Sequence, residues 1–484
     1  MSYNAYLLTK SSTNIFPNSI KIGEYFFQYD YNNNIHSIKS ADNELIILGA
    51  VVDSYGRMST LEIMKLLVNA ASVGELIANY KKLAGRFVIV FKNNDLIYVI
   101  PDACATIRVC YSITNEGVYV SSEPIIIANL LNYTESEKSS KIYESTISYN
   151  PLPNDLTMYD EIKVVLPNHY LSCTVGEIHR YYPNKISSKI SLEEAVNKSI
   201  ELLNNIMVEL SKNYEVTIPL TSGVDSRTVL AMSKNVHNDI PYYTFKHRKY
   251  NESSADLVIP QKIASEYKLK YEVIKHKPVP KEIYESYDTS IGRFYNNKIV
   301  QNAWTYSNSS LSKRIYLTGD ISPLAKSSFG MDLPECFATT SYLITKTHNF
   351  SNENKEEVRR WIRDIEQAVR LSSISKFDLF FWEQRCGRNV SDVFSVMDKY
   401  CLGVSIFNCR ELIETWLQVP RKLRNNGELH KAIIKKAWPE LLDYEFNPKP
   451  KYSVSINGTI SKYLAVRFKF YLDKSKYYLS KFKR

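Results

Sequence analysis

The sequence predicts a two-domain α/β protein, strand-rich over residues 1–185 and built on a parallel sheet over residues 186–484, with a helical C-terminal part. Two rhythms and one motif predict it. Short β-branched runs separated by turn residues fill the first part, the pattern of an antiparallel strand-rich domain. Past residue 190 such runs alternate with stretches of helical spacing, the pattern of βαβ units. At Val216–Ala231 a strand passes through a tight polar loop straight into a helix, and open α/β sheets bind ligands at such carboxyl ends of strands.

In the first part, Glu44–Val51, Arg86–Phe91, Leu96–Ile100, Ile107–Ser112 and Val118–Ser121 read as strands, with Asn93-Asn94-Asp95 a hairpin turn between two of them. Thr60–Ala71 and Val73–Leu83 carry helical spacing. Thr134–Lys141 is polar and reads as a loop, and Ser187–Ser191 as a linker. Ser191 and Glu194 then form a capping box ahead of a helix over Leu192–Leu210. The motif strand and its helix follow, then a strand Tyr242–Phe245, a helix Ser254–Tyr267, a strand Tyr271–Ile274 and a strand Arg314–Leu317 that ends at Thr318-Gly319-Asp320. From Lys355 the pattern is helical to the end, interrupted near Pro448, and no internal repeat is present.

A hydrophobic content of 44% with 23% charged residues belongs to a globular protein with ample cores. No stretch is long and apolar enough to span a bilayer, and the first residues lack the build of a secretory signal. The seven cysteines are odd in number and form no Cys-x-x-Cys pair, which argues against a disulfide framework or structural zinc and for a cytoplasmic location. Much of the net charge of +10 sits in the tail 462–484, where lysines and arginines interleave with Tyr463, Leu464, Phe468, Tyr471 and Leu472. The favoured reading is a helix that packs its apolar stripe on the body; weak contact with a membrane surface or an acidic partner is the other use of such a tail. The charge is modest for the length, and no nucleic-acid partner is expected.

The motif itself is an anion site in outline. The first turn of a helix leaves backbone N–H groups unpaired, and the helix dipole favours negative charge there. Gly223 allows close approach of the backbone, and Thr221, Ser222 and Ser226 add hydroxyls. A carboxylate, Asp225, makes sense in a phosphate loop if it holds a Mg²⁺ that the phosphates share. The other reading is an ordinary βα turn with a capping residue.

Thr221-Ser222-Gly223-Val224-Asp225-Ser226 resembles the pyrophosphate loop Ser-Gly-Gly-x-Asp-Ser of ATP pyrophosphatases. Further segments widen the resemblance to asparagine synthetase and its relatives, β-lactam synthetase and lasso-peptide cyclase. These are Leu83-Ala-Gly-Arg-Phe-Val, Met158–Leu171 with its Val-Leu-Pro-Asn-His core, Arg180-Tyr181-Tyr182, and Asn447-Pro448-Lys449-Pro450-Lys451-Tyr452-Ser453-Val454. The resemblance implies an Ntn-hydrolase-like αββα sandwich followed by an adenine nucleotide α-hydrolase-like synthetase domain. The family's glutaminases begin Met-Cys-Gly. Here Ser2 and Tyr3 follow Met1, and a serine hydroxyl without a base is a weak nucleophile, so the first domain is expected to be a silent glutaminase fold.

By the same resemblance the chain is an ATP-dependent ligase that adenylates a carboxylate, releases pyrophosphate and passes the acyl group to an amine without hydrolysing glutamine. Its expected cofactors are ATP and Mg²⁺. Leu220, Thr221, Ser222, Gly223, Val224, Asp225, Ser226, Thr244, Phe245 and Gly319 would bind ATP; Asp225 and Asp320 would hold the metal. Pro323 stands where the family has its second acidic ligand, so Asp320 would serve from a rearranged loop. Lys449 would stabilise charge on the α-phosphate and acyl oxygen, and Glu383 would relay a proton from the amine, unless it only pairs with Arg388 on its own helix. Asp256 reads as a helix-start carboxylate, Ser405–Arg410 as a structural turn, and 281–301 with 327–350 as walls of the acceptor pocket. The expected partners are a small-molecule, peptide or sugar-acid carboxylate and an amine, and a homodimer is compatible with the family. The competing functions are asparagine synthesis from ammonia or glutamine, a non-catalytic scaffold, and a tRNA-modifying pyrophosphatase.

Overall fold

Up to Arg180 the chain forms two six-stranded antiparallel sheets. The computed structural model describes residues 3–11, 13–30, 34–145, 151–184, 188–291, 296–330, 333–448 and 459–481. Strands β1 (Tyr6–Thr9), β2 (Asn18–Ile22), β3 (Tyr25–Tyr29), β4 (Ile35–Ser40), β5 (Asn43–Asp53) and β6 (Leu83–Asn93) come first. They are followed by β7 (Leu96–Pro101), β8 (Cys110–Thr114), β9 (Gly117–Ser121), β10 (Lys163–Val164), β11 (His169–Ser172) and β12 (Glu177–Arg180). One sheet has the order β10-β8-β9-β1-β3-β2, the other β12-β11-β7-β6-β5-β4.

The alternation of the strands places Tyr6, Leu8 and Phe27 of the first sheet against Ile46, Leu48 and Val88 of the second in one buried layer. The opposite face of the second sheet buries Ile47, Phe87 and Ile89 under helices Thr60–Val68 and Val73–Tyr80. Helix Pro124–Leu131 covers the first sheet through Ile127 and Ala128. The result is a helix–sheet–sheet–helix stack. The polar stretch read as a loop at Thr134–Lys141 instead starts a helix, Glu137–Glu144. Ser136 caps it by accepting the Ser139 N–H, and only Ser139 and Ile142 are buried, too few to show as a periodic stripe.

Helix Leu192–Asn213 opens the second part with its capping box formed, Ser191 Oγ accepting from Glu194 N–H at 3.1 Å and Glu194 accepting from Ser191 N–H at 2.8 Å. Its eight buried positions repeat every three to four residues, and it packs on helices Val224–Met232, Arg410–Gln418 and Glu428–Ala437 and on β5 of the first part. The sheet of the second part is parallel, β15-β14-β13-β16-β17, from β13 (Val216–Pro219), β14 (Pro241–Lys246), β15 (Lys270–Lys275), β16 (Ile315–Thr318) and β17 (Gly403–Ser405). The chain lays β14 and β15 on one side of β13, then crosses to lay β16 and β17 on the other. The β13–β16 pair is therefore the point where the strand order reverses, the place at which such sheets open a crevice. The region after Lys355 is not wholly helical as expected: β17 interrupts it, three residues being too short to print a pattern.

The two parts are joined through buried ion pairs. Arg86 donates to both carboxylate oxygens of Asp398 (2.5 and 2.6 Å), Arg108 pairs with Asp392 at 3.0 Å, and Asn408 exchanges hydrogen bonds with the Gly85 backbone. Residues 185–187, where the domain boundary was placed, lie outside the described residues. The tail forms helix Thr459–Lys481, which packs Phe470 on Phe350 and Tyr463 on Tyr342 but leaves Leu464 and Phe468 exposed. Among the described residues no helix is long and apolar enough to cross a membrane.

Candidate functional site

The polar loop leaves the carboxyl end of β13 and enters helix Val224–Met232, with Gly223 at its N-cap. Side chains of the protein itself hold its first half. The Thr221 N–H donates to Ser226 Oγ (3.2 Å), the Ser222 N–H to Asp256 Oδ1 (2.9 Å), and the Gly223 N–H to Thr221 Oγ1 (3.2 Å). The loop thus does not offer all of its amides to a ligand. Those that helix geometry leaves over are in the first turn, at Val224, Asp225 and Ser226. Asp256, read from the sequence as a plain helix-start carboxylate, also accepts from Ser222 Oγ (2.7 Å) and Tyr250 Oη (3.0 Å) and so braces the loop.

Asp225 faces the crevice but is already paired. Its Oδ1 accepts from Ser322 Oγ and its Oδ2 from Lys326 Nζ, each at 2.5 Å. Both partners come from the short 3₁₀ turn Ser322–Lys326 that follows Asp320. Behind Asp225 lies His430, fully buried, its Nε2 3.4 Å from Oδ1 and neither ring nitrogen holding a hydrogen-bond partner among the described residues. Burial raises the Asp225 pKa, but the charges of His430 and Lys326 and the hydrogen bonds from Lys326 and Ser322 outweigh it and bring it below the ordinary carboxylate value.

Asp225 and Asp320 line one cavity of about 320 Å³ together with Thr221, Ser226, Gly319, Phe381 and Arg385. Solvent reaches Asp320, yet the protein crowding it pushes its pKa up. Thr318 Oγ1 donates to Oδ2 at 2.8 Å, and the charges of Arg385 and Asp225 act in opposite senses. Arg385 sits on the wide-turn, π-helical segment Phe381–Val390, whose other side chains are buried while Arg385 alone is exposed. Such segments recur at functional sites because they re-aim one side chain. A smaller recess formed by Phe329, Lys346, Thr347, Phe380 and Gln384 shares Arg385 with the main cavity, so part of the 327–350 stretch does stand beside it. Burial pushes the Lys346 ammonium down to about 8.

This donor set does not fit a Mg²⁺ held by Asp225 and Asp320. The loop carboxylate is paired with an ammonium group, the second carboxyl accepts from Thr318 Oγ1, and no group of three metal-binding side chains forms among the described residues. The two expected metal ligands share a cavity wall, and the first of them is held by Ser322 and Lys326.

Glu383 is where the expectation departs furthest from the structure. It is fully buried, takes no part in lining the cavity, and has both oxygens committed. Arg180 donates to each of them (2.6 and 3.0 Å), Asn168 Nδ2 to Oε1 (3.0 Å) and Trp361 Nε1 to Oε2 (2.8 Å). Its partner is Arg180 of the first part, not Arg388, which instead bonds the backbone at Leu152 and Leu156. A carboxylate so held joins the two parts and has no lone pair placed for a substrate proton.

Leu220 and Thr244 bind each other, Thr244 Oγ1 donating to Leu220 O at 2.6 Å while the Leu220 N–H donates to Tyr243 O. Their groups align β13 with β14; Phe245 is half-buried against Tyr243 and His276. Lys449 lies outside the described residues, as does Ser2. The Asn447 N–H donates to Ser222 O at 3.2 Å, so the described chain meets the loop at Asn447. Arg227, one turn into the motif helix and fully buried, holds the residues just before it. It donates to Ser222 O, Leu441 O, Tyr444 O and Glu445 O, and lies 4.0 Å from the centre of the Phe446 ring.

No protein-family model and no curated protein matches the chain. Among solved structures it is similar to an NH₃-dependent NAD synthetase from Campylobacter jejuni, at 11% identity and a TM-score of 0.21 over 39% of this chain and 81% of that one. It is similar to an NMN synthetase from Francisella tularensis at 13% identity and a TM-score of 0.20, over 47% of this chain and 93% of that one. It is similar to a glutamine phosphoribosylpyrophosphate amidotransferase from B. subtilis, complexed with ADP and GMP, at 11% identity and a TM-score of 0.22 over 50% of this chain and 56% of that one. Likenesses this distant carry no weight of their own, and the functional reading rests on the sheet order and on the residues around the cavity.

Proposed function

We propose that the chain is an ATP-dependent, AMP-forming carboxylate–amine ligase of the asparagine-synthetase-like kind, whose first domain is a silent Ntn-hydrolase-like fold. The observation that carries the reading is the cavity at the β13–β16 reversal, where a strand–loop–helix, two carboxyl groups and the exposed Arg385 guanidinium meet. The nucleotide lies with its β- and γ-phosphates at the first turn of helix Val224–Met232. A substrate carboxylate, drawn by Arg385, attacks the α-phosphorus in line; the bond to the bridging oxygen breaks and pyrophosphate leaves into the loop. An amine then attacks the acyl carbon and AMP departs. Asp320, which lines the cavity and whose pKa the surrounding protein raises, accepts the proton that the amine loses, in place of Glu383. Lys449, two residues beyond the Asn447 whose N–H donates to Ser222 O, offsets charge developing on the phosphate and acyl oxygens.

The competing reading is a binding scaffold, favoured by the loop amides that the protein satisfies itself. Carboxylate-dependent exchange of labelled pyrophosphate into ATP separates the two. The ligase gives exchange with at least one acid from a panel of amino acids, sugar acids and peptides, without glutamate release from glutamine. Neither exchange nor ATP binding leaves the scaffold.

A further inference from the structure

The pairing of Asp225 with Lys326 puts a positive charge inside the loop. The lysine is fixed by its place in the sequence: the 3₁₀ turn Ser322–Lys326 brings Ser322 Oγ and Lys326 Nζ to the two oxygens of one carboxylate. A divalent ion on Asp225 would have to displace this ammonium or sit beside it, like charge against like. The second observation is His430. A fully buried imidazole with neither nitrogen bonded is uncommon, because an unmade buried hydrogen bond is costly. It faces Asp225 at 3.4 Å, so it is placed to donate to that carboxylate once another donor leaves it.

We propose that Lys326 is the resident cation of the pyrophosphate site: it turns from Asp225 to the departing pyrophosphate, while Ser322 and His430 keep Asp225 satisfied. The exchange replaces one charge-assisted bond with another and leaves no buried carboxylate without a donor. The inference rests on the ligase reading, since it takes the phosphates to lie at the first turn of helix Val224–Met232. It goes beyond that reading in assigning to a side chain the charge that a protein-held metal would otherwise supply there.

The test is calorimetric binding of inorganic pyrophosphate to the full chain, in EDTA and in excess Mg²⁺, for the unaltered protein, Lys326→Met, Lys326→Arg and Asp225→Asn. Far-ultraviolet dichroism and a thermal melt confirm that each variant is folded. The expected result is binding in EDTA, at least tenfold weaker in Lys326→Met and largely restored in Lys326→Arg. Asp225→Asn, which frees the ammonium, binds as tightly as the unaltered protein or more so. Binding that requires Mg²⁺ and is equal in Lys326→Met overturns the role of Lys326 while leaving the ligase reading standing. Absence of binding in both conditions overturns the two together.

Discussion

Gly319 lies directly against Asp225: a Cβ on Gly319 would stand 3.0 Å from the Asp225 carbonyl carbon and 3.1 Å from its Cβ. Gly319 is the first residue past β16 and Asp225 stands in the first turn of the helix after β13, so their contact sets the width of the crevice between the two strands. Backbone cannot swing aside as a flexible side chain does. In Gly319→Ala the two loops must part by a few tenths of an ångström, which overpacked sites show to cost ~1–3 kcal/mol. The expected outcome is a fall of ATP–pyrophosphate exchange by about tenfold or more, since misplacement of reacting groups is penalised steeply. The exchange assay checks it beside a melt; exchange at the original rate would show that the crevice has slack.

The Glu383–Arg180 pair makes a different prediction. Removing one partner of a buried, hydrogen-bonded ion pair leaves an uncompensated charge and costs roughly 3–5 kcal/mol. Glu383→Ala is therefore expected to lower stability by an amount of that order in urea titration, and Arg180→Met by a comparable amount. The double variant should lose less than the sum, because the two share one interaction. At temperatures where Glu383→Ala stays folded, exchange and amide formation should fall together or not at all. Loss of amide formation alone, with exchange intact, would restore the proton-relay role.

Much of the fold was legible because it is written locally. The capping box at Ser191 and Glu194, the β-rich apolar runs of β5 to β7 and the strand–loop–helix at Val216–Met232 each rest on residues a few positions apart. What escaped was written across long separations. Glu383 finds its partner in Arg180 on β12, and Arg227 finds carbonyls beyond Leu441; neither separation has a period to detect. The lysine that meets Asp225 comes from a turn that differs from the resembled pattern, Ile321-Ser322-Pro323, and only three-dimensional placement gives Lys326 its role. Arg227, one turn into the motif helix amid apolar residues, is the signal in the sequence that points to these carbonyls, since arginine is rarely inside without several acceptors.

His169 links the join between the domains to pH. Burial and the nearby Arg180 charge lower its pKa from 6.5 to about 4, against the opposing pull of Glu383, while Nδ1 lies 2.9 Å from Pro167 O. The unfolded chain takes up a proton below 6.5 that the folded protein refuses until about 4. The stability attached to the neutral ring is thus fully present above pH 6.5 and is lost as pH falls from 6.5 toward 4. The loss attributable to this one group is on the order of 1–3 kcal/mol. In His169→Gln, urea titrations between those limits should give a flatter pH dependence than the unaltered protein; an unchanged slope would mean that the ring titrates alike in both states.

Arg385 is expected to govern affinity for the acid without supporting the fold. Its guanidinium has no hydrogen bond or ion pair among the described residues and opens into the cavity that Asp225 and Asp320 line. A cation held there unpaired by neighbouring protein is available for a substrate carboxylate, which guanidinium groups bind in a two-pronged geometry that lysine cannot reproduce. Arg385→Gln should therefore melt within about 1 °C of the unaltered protein, because exposed substitutions away from structural contacts shift stability little. Its KM for the acid should rise about tenfold or more, with KM for ATP little changed and kcat reduced less than KM is raised, the sign of a contact made equally in ground and transition states. Arg385→Lys should recover only part of the loss. If instead KM for ATP rises and that for the acid does not, Arg385 belongs to the phosphates, and the acid must enter from the side of Lys346.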